Sequence, residues 1–476
     1  MYRLILFFAL LCCSFVNAQN KELLYDFTDI PQALMLNPGM QTDFQWYAGI
    51  PGLSGISYQN GSSGVTVNDI FADDGLDIND KVRDRLIEGM GSGDDLSGTY
   101  QVELLSGGFR GRNPTNFYSF GIYNEGDAIG YWFKDYAILG FEGNADYIGK
   151  EFNLGHLKTR GEILNVYHFG INKKINRELT VGGRAKIYSG AVNFNSTKNR
   201  GYYVTEEGEN NLLANTIDAD MEFRSSGIEE IYRAIDEDPD RLSGILTKRL
   251  FFGGNLGLGV DFGFSYQLNE QTVMTASVLD LGFIYNSTNV RNYTVKGKAT
   301  VEGIEVILPD AFAPTETDFW KELVDKVEAL VPFNQSKQNY ISFRPTKLYG
   351  SLRYNFGETM SSRDYCGCDY RYASYRGSER YVNAVGAQLY AINRPRGPQA
   401  ALTAFYLRRL GNSLALKTTY TIDKYSFSNI GLGLNVQAGP VNFYAMVDNL
   451  LAFENIADSH YTSFQLGLNI ITWGKK

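Results

Sequence analysis

The stretch GNLGLGVDFGFSYQL, Gly254 to Leu268, decides how the rest of the chain is read. Leu256, Leu258, Val260, Phe262, Phe264 and Tyr266 alternate with Gly257, Gly259, Asp261, Gly263 and Ser265. In an extended chain successive side chains point to opposite faces, so this strand has one apolar face and one small or polar face. SNIGLGLNVQAG (Ser428–Gly439) and SFQLGLNIITW (Ser463–Trp473) repeat the pattern. The glycines are not a dinucleotide loop, because that fingerprint closes a strand and opens a helix, whereas these alternate inside one strand.

Two architectures give such faces, a soluble sandwich and a barrel in lipid. Working outward from Gly254, strands are expected at about 44–59, 98–109, 115–124, 160–173, 178–195, 255–268, 271–285, 346–357, 380–393, 398–410, 413–424, 427–438, 440–450 and 461–473. The connections after the second, fourth, sixth, tenth and twelfth are tight: GRNP, KINR, NEQ, GN and GP. Those after the first, third, fifth and seventh are long, covering roughly 60–97, 125–159, 196–254 and 286–345. Alternation of short turns and long loops is the habit of an outer-membrane barrel, with an even strand number and short turns on the periplasmic side. The fold class expected is therefore all-β, a transmembrane antiparallel barrel of about 14 strands. Segments 358–379 break the alternation. Helical spacing marks INDKVRDRLIEGM (78–90), SGIEEIYRAIDEDPDRLSGIL (226–246, interrupted at Pro239) and TDFWKELVDKVEALVPF (317–333), all inside long external loops.

Residues 1–18, MYRLILFFALLCCSFVNA, have the basic start, short apolar run and small-residue end of a signal peptide, and the run is too short to span a bilayer. Residues 19–42 are expected to form an N-terminal plug and 43–476 the barrel. In LLYDFTDIPQALMLNPGM (Leu23–Met40), Pro31 and Pro38 remove amide donors and restrict φ, so an apolar segment is kept from joining the sheet. Asp26 and Asp29 are expected to meet luminal cations. Alternation directs Glu103, Arg184, Lys186, Asp261, Arg353 and Lys417 inward as a luminal charge network, because the lipid face penalises charge. Trp473 is expected at the periplasmic membrane interface.

Aromatic residues are 14% of the chain, with 32 Tyr and 30 Phe, and the net charge is −9. That acidity and the lack of a basic stripe exclude a nucleic-acid partner. Cys366 and Cys368, in CGC, are read as a disulfide or a free thiol pair, since two thiols without a nearby His do not make a zinc site. No cofactor, metal or catalytic group is expected. In DSH (Asp458–His460) neighbouring side chains of an extended chain diverge, and the acids Asp73, Asp74, Asp236, Glu237, Asp238 and Asp240 read as solvated surface rather than a calcium loop.

PQALMLNPGM, AGIPGLSGISY, TVMTASVLDLGFIY and FYAMVDNLLAF look like the exported Bacteroidota barrels related to the PorP/SprF and PorV families. The resemblance implies an outer-membrane barrel of the long-chain fatty-acid transporter type with an N-terminal segment in its lumen. It places Pro31, Asn37 and Pro38 in that segment and Asp280 and Asp448 near strand ends. It also implies a scaffold or accessory component linked to type IX secretion or gliding; the alternative is a transporter of hydrophobic or amphipathic small molecules. The partners expected are outer-membrane lipid, other cell-envelope proteins and a small hydrophobic ligand.

Overall fold

The structure, a computed structural model, describes residues 21–208, 213–302, 333–360 and 380–473. Fourteen antiparallel strands close into a barrel. They are β1 (Trp46–Gly49 and Ile56–Ser62), β2 (Asp95–Arg110), β3 (Asn116–Tyr131), β4 (Thr159–Lys174), β5 (Leu179–Glu207), β6 (Asn255–Gln267) and β7 (Thr272–Asn286). The second half is β8 (Lys347–Met360), β9 (Arg380–Arg394), β10 (Gly397–Leu410), β11 (Leu414–Ile422), β12 (Asn429–Ala438), β13 (Val441–Val447) and β14 (Tyr461–Thr472). Trp46 pairs with Phe109 on one side and Thr472 on the other, which closes the sheet and leaves no free edge in the wall. Leu256, Leu258, Phe262, Leu352, Leu389 and Leu402 are exposed on the outside, while Asp261, Lys417 and Asn469 are fully buried inside. The apolar face thus points to lipid and the polar face to the lumen, as the two-residue period requires. Among the described residues no helix is long and apolar enough to cross a membrane.

One rim carries most of the tight turns, including those between Gln267 and Thr272 and between Ala438 and Val441, while the tight turn between Arg394 and Gly397 lies on the other. That other rim carries the long connections and short helices. Ile228–Glu237 and Leu242–Lys248 flank a 3-10 turn at Pro239–Arg241, and Ile78–Lys81 continues as a π turn over Val82–Glu88. A helix at Lys134–Phe141 is additional. The helical segment read at 317–333 lies almost wholly outside the described residues.

The loops expected at 196–254 and 286–345 contain sheet over residues 196–207, Leu213–Ser226, Val290–Glu302, Phe333–Ser336 and Tyr340–Phe343. β5 runs for 29 residues, about three times what a tilted membrane strand needs. Its outer half pairs with Leu213–Ser226, which pairs with Val290–Glu302, whose start pairs with Phe333–Ser336. One face of this ribbon sets Phe223 against Tyr293 and Met221 against Val295, but the other has no apolar pairs. Opposite charges meet across the ladder instead, Lys296 against Asp220 and Lys298 against Asp218.

Two irregularities shape the lumen. The β6–β7 register slips between Val278 and Leu281, where Asp280 adopts φ 59, so Leu279 and Asp280 both turn inward. Asp280, implied near a strand end, therefore sits within β7 at a bulge, whereas Asp448 directly follows β13. β1 breaks at residues 50–55, where Pro51 and Gly52 (φ 74) divert the chain. Both neighbours still bond to the diverted backbone: Ile50 N–H donates to Leu468 O (3.1 Å), and Glu103 N–H to Gly55 O (2.8 Å).

Candidate functional site

Residues 21–45 pass through the lumen. Leu23, Leu24, Phe27, Ile30 and Leu34 are buried, and Tyr25 stacks on Tyr349 at 4.8 Å. Pro31 opens a 3-10 turn, Pro31–Met35; turns within the segment use the carbonyls of Lys21, Leu24, Phe27, Ile30, Ala33 and Asn37, and residues 21–44 join no sheet ladder, so the remaining carbonyls need partners from elsewhere. The wall supplies them. Arg184 donates to Met35 O (3.1 Å) and to Leu34 O, and Ser277 to Leu36 O (2.5 Å). Asn172 donates to Pro38 O (2.8 Å) and Met40 O (2.7 Å), and Lys417 to Tyr25 O (2.6 Å). Arg110 reaches Thr42 O (2.6 Å) and Phe44 O (3.1 Å).

Wall glycines make room for this backbone. A Cβ on Gly182 would lie 1.9 Å from Pro38 O, and one on Gly263 would lie 2.2 Å from Asn37 Oδ1. Asn37 itself bonds Phe264 O (3.1 Å) and accepts from Gly39 N–H (2.9 Å). The alternating glycine of the opening stretch is therefore a contact point for the segment Asn37-Pro38-Gly39.

Ion pairs organise the interior in three tiers. Nearest the tight-turn rim, Asp26 meets Arg353 (2.7 Å), and Asp29 meets Arg409 (2.9 Å) and Arg380. In the middle, Asp261 pairs with Arg184 (3.2 Å) and Lys186 (2.8 Å). Asp280 pairs with Lys186 (2.7 Å) and Lys347 (3.1 Å), while Arg344 joins Glu125 (2.8 Å) and Glu162. Towards the loop rim, Asp127 meets Arg394 (2.6 Å), and Asp95 meets Lys424. Each buried charge needs such a partner, since breaking a buried pair leaves an uncompensated charge.

All six inward residues read from the sequence are buried on the luminal face. Arg184, Lys186 and Asp261 share one network. Arg353 binds the segment through Asp26. Lys417 bonds backbone carbonyls and lies 4.5 Å from the Phe405 ring centre. Glu103 instead accepts from Gln32 (3.1 Å) and Ser54 (2.9 Å). Glu125, Asp127, Glu162, Arg344 and Lys347 were not foreseen. Trp473 does not sit at the membrane interface: it packs edge-on against Phe44 at 4.9 Å, because it continues the inward parity of Ile471. Cys366 and Cys368 lie outside the described residues. Ser459 donates to Tyr461 O (2.7 Å) and His460 Nδ1 lies 3.0 Å from Ser62 O, so they form no dyad. Asp74 pairs with Lys81 (2.5 Å), and among the described residues no three His, Cys, Asp or Glu side chains converge as a metal set.

Two cavities remain above the segment. The larger, about 40 Å³, is lined by Lys21, Met35, Leu279, Asp280, Lys347 and Tyr349 among others. The second, about 20 Å³, extends to Gly55 and Ile56 at the break in β1. They share Lys21, Met35, Leu36, Ser57 and Gln101.

Residues 38–448 match the model of DUF5723, described as a family of unknown function. The chain belongs to this family. No curated protein is significantly similar to it in sequence. Among solved structures, this DUF5723 chain is similar to the toluene transporter TbuX of Ralstonia pickettii (9% identity, 93% of each chain, TM-score 0.38). It is similar also to a FadL homologue of Pseudomonas aeruginosa (8% identity, 93% of this chain and 94% of that one, TM-score 0.40). The toluene transporter TodX of Pseudomonas putida gives 10% identity over 96% and 94% of the two chains, with a TM-score of 0.34.

Proposed function

We propose that this barrel is an outer-membrane transporter of small amphipathic or hydrophobic molecules, closed at rest by residues 19–42. The observation that carries the reading is the joined pair of cavities, which leads from above the plug to the break in β1. A broken strand is where a closed wall can open sideways without dismantling its ladder. Met35, Leu36, Leu279 and Tyr349 offer apolar surface beside the ammonium groups of Lys21, Lys186 and Lys347. That lining suits a molecule with an apolar body and a polar end better than a pure hydrocarbon. Transport is thus preferred to the scaffold role read first from the sequence.

The scaffold remains the second reading, and the ribbon outside the barrel supports it: it offers a partner of the cell envelope, in type IX secretion or gliding, a surface beyond the membrane. Affinity purification from native outer membranes, with lipid and protein mass spectrometry on the same sample, separates the two. A co-purifying amphipathic molecule that is lost when Leu279 is replaced by Trp supports transport. A stoichiometric protein partner without any such molecule supports the scaffold.

A further inference from the structure

The outer face of the wall carries polar side chains at Asn165, Tyr167, Ser189 and Tyr420, where lipid-facing residues are expected. Tyr167 shares the outer face of β4 with the exposed Phe169 and Ile171. Its ladder partner Ile187 pairs in turn with Leu258, and both are exposed. Two residues further up, Asn165 and Ser189 pair with one another on that same face, and Ser189 pairs with the exposed Leu256. Alternation aims Asn165 and Ser189 at lipid, yet both are buried. A segment lying on the outside of the barrel buries them.

That segment is Arg249–Gly253, which connects the loop-rim helices to β6. Asn165 donates to Leu250 O (3.1 Å), and so does the Tyr167 hydroxyl (3.3 Å). Ser189 Oγ donates to Arg249 O (2.9 Å) and accepts from Phe252 N–H (3.0 Å). The Phe252 ring stacks on Tyr167 at 4.5 Å. Phe252 adopts φ 66, a left-handed conformation that is costly for a bulky residue, and these contacts hold it there. The turn therefore folds down over the outer wall instead of across the mouth, and it leaves Phe251 and Phe252 52% and 51% exposed.

The same device recurs on the opposite side. Tyr420 of β11 faces outward, paired with the exposed Ile430, and its hydroxyl donates to Phe427 O (2.6 Å). Phe427 is 77% exposed. β4 and β11 are seven strands apart in a ring of fourteen, so the two loops stand half a turn from each other. Tyr167 and Tyr420 lie seven and six residues above the tight turns at Lys174 and Leu414. At about 3.3 Å per residue and a tilt of about 40°, that is about 15–18 Å, inside an apolar band about 25 Å tall. A tyrosine hydroxyl at that depth needs an acceptor, which hydrocarbon lacks, and in each case a loop carbonyl supplies it.

We infer that Phe251, Phe252 and Phe427 insert among the lipid acyl chains of the leaflet nearer the loop rim, as two anchors on opposite sides of the barrel. Their apolar surface continues the lipid-facing wall, through Leu256 and Leu258 on one side and Ile430 and Leu432 on the other. Placed half a turn apart, they resist tilting of the barrel towards either side.

Spin labelling tests it on the full chain, with its own cysteines replaced by Ser, in vesicles of phosphatidylcholine and phosphatidylglycerol. Oxygen gathers in hydrocarbon, whereas a nickel chelate stays in water. Labels at Phe251→Cys and Phe427→Cys should collide with oxygen more than with the chelate, as a label at Leu258→Cys on the wall does. One at Asp240→Cys, in the exposed turn between the loop-rim helices, should do the reverse. Phe252→Trp keeps an aromatic ring over Tyr167, and its added emission should be quenched more by brominated acyl chains than by iodide in the water. Heat-modifiable gel mobility reports that each variant is folded. A label at Phe251 or Phe427 that meets the chelate as the one at Asp240 does overturns the inference, as does emission from residue 252 quenched mainly by iodide. A label shielded from both reagents overturns it too, since a protein surface, a second copy included, would then cover these rings.

Discussion

The Asp280 carboxylate lies 2.7 Å from Lys186 and 3.1 Å from Lys347, and its N–H donates to Asp261 Oδ1 at 2.7 Å. One residue thereby joins β5, β6, β7 and β8. Replacing it by Asn leaves both ammonium groups short of charge in a dry site, at a cost of about 3–5 kcal/mol. Guanidinium unfolding in detergent should show that loss, and Asp280→Asn combined with Lys186→Met should recover part of it, as coupled neighbours do. Gly263 gives a residue-scale test of the plug. Its Cβ would lie 2.2 Å from Asn37 Oδ1 and 3.0 Å from Pro38 Cδ, so Gly263→Ala must displace that turn. Single-channel conductance in planar bilayers should rise. Gly183→Ala, with nothing nearer than 3.8 Å, should leave it unchanged.

At the scale of elements, residues 21–45 hold themselves only in short turns and take their side-chain hydrogen bonds and ion pairs largely from the wall, which encloses more space than its own side chains fill. Deleting residues 20–42 should raise conductance more than Gly263→Ala does. An unchanged closed state would assign the closure to the loop-rim helices instead. The strands themselves were legible, because a lipid-facing wall enforces strict alternation. What escaped was whatever breaks that parity or runs past it. Glu125 and Asp127 continue the inward face of β3 beyond Asn124, where the strand was expected to end. Arg344 sits between the short strand Tyr340–Phe343 and β8, beside Pro345, with no period around it. Asp280 owes its inward direction to a bulge, and a bulge shifts the register without any signature in the alternation itself.

For the whole molecule, closure depends on the last strand, which pairs with both β13 and β1. A chain ending at Ser463 would leave unpaired backbone on two strands in lipid. It should fail to appear as a heat-modifiable species in outer membranes, and normal levels of it would exclude the closed barrel. Orientation follows from the two rims. A cysteine at Asp240, in the loop-rim helices, should react with an impermeant maleimide on intact cells, while one at Arg112, in a tight turn, should not; the reverse pattern would invert the barrel.

β5 belongs to both compartments at once. Its inner end carries Gly182 and Arg184 against the luminal segment, and its outer end is the ribbon, with a bulge near Lys198 (φ 33) just past Asn195, where pairing with β4 ends. An extended strand has almost no length in reserve. A sideways push on the ribbon swings it about that elbow and is spent there. An axial pull has no such outlet, and travels down the same covalent rod to Gly182 and Arg184, two of the wall residues that touch the luminal segment. Whatever grasps the outer end therefore has a mechanical line to the segment inside, without touching it.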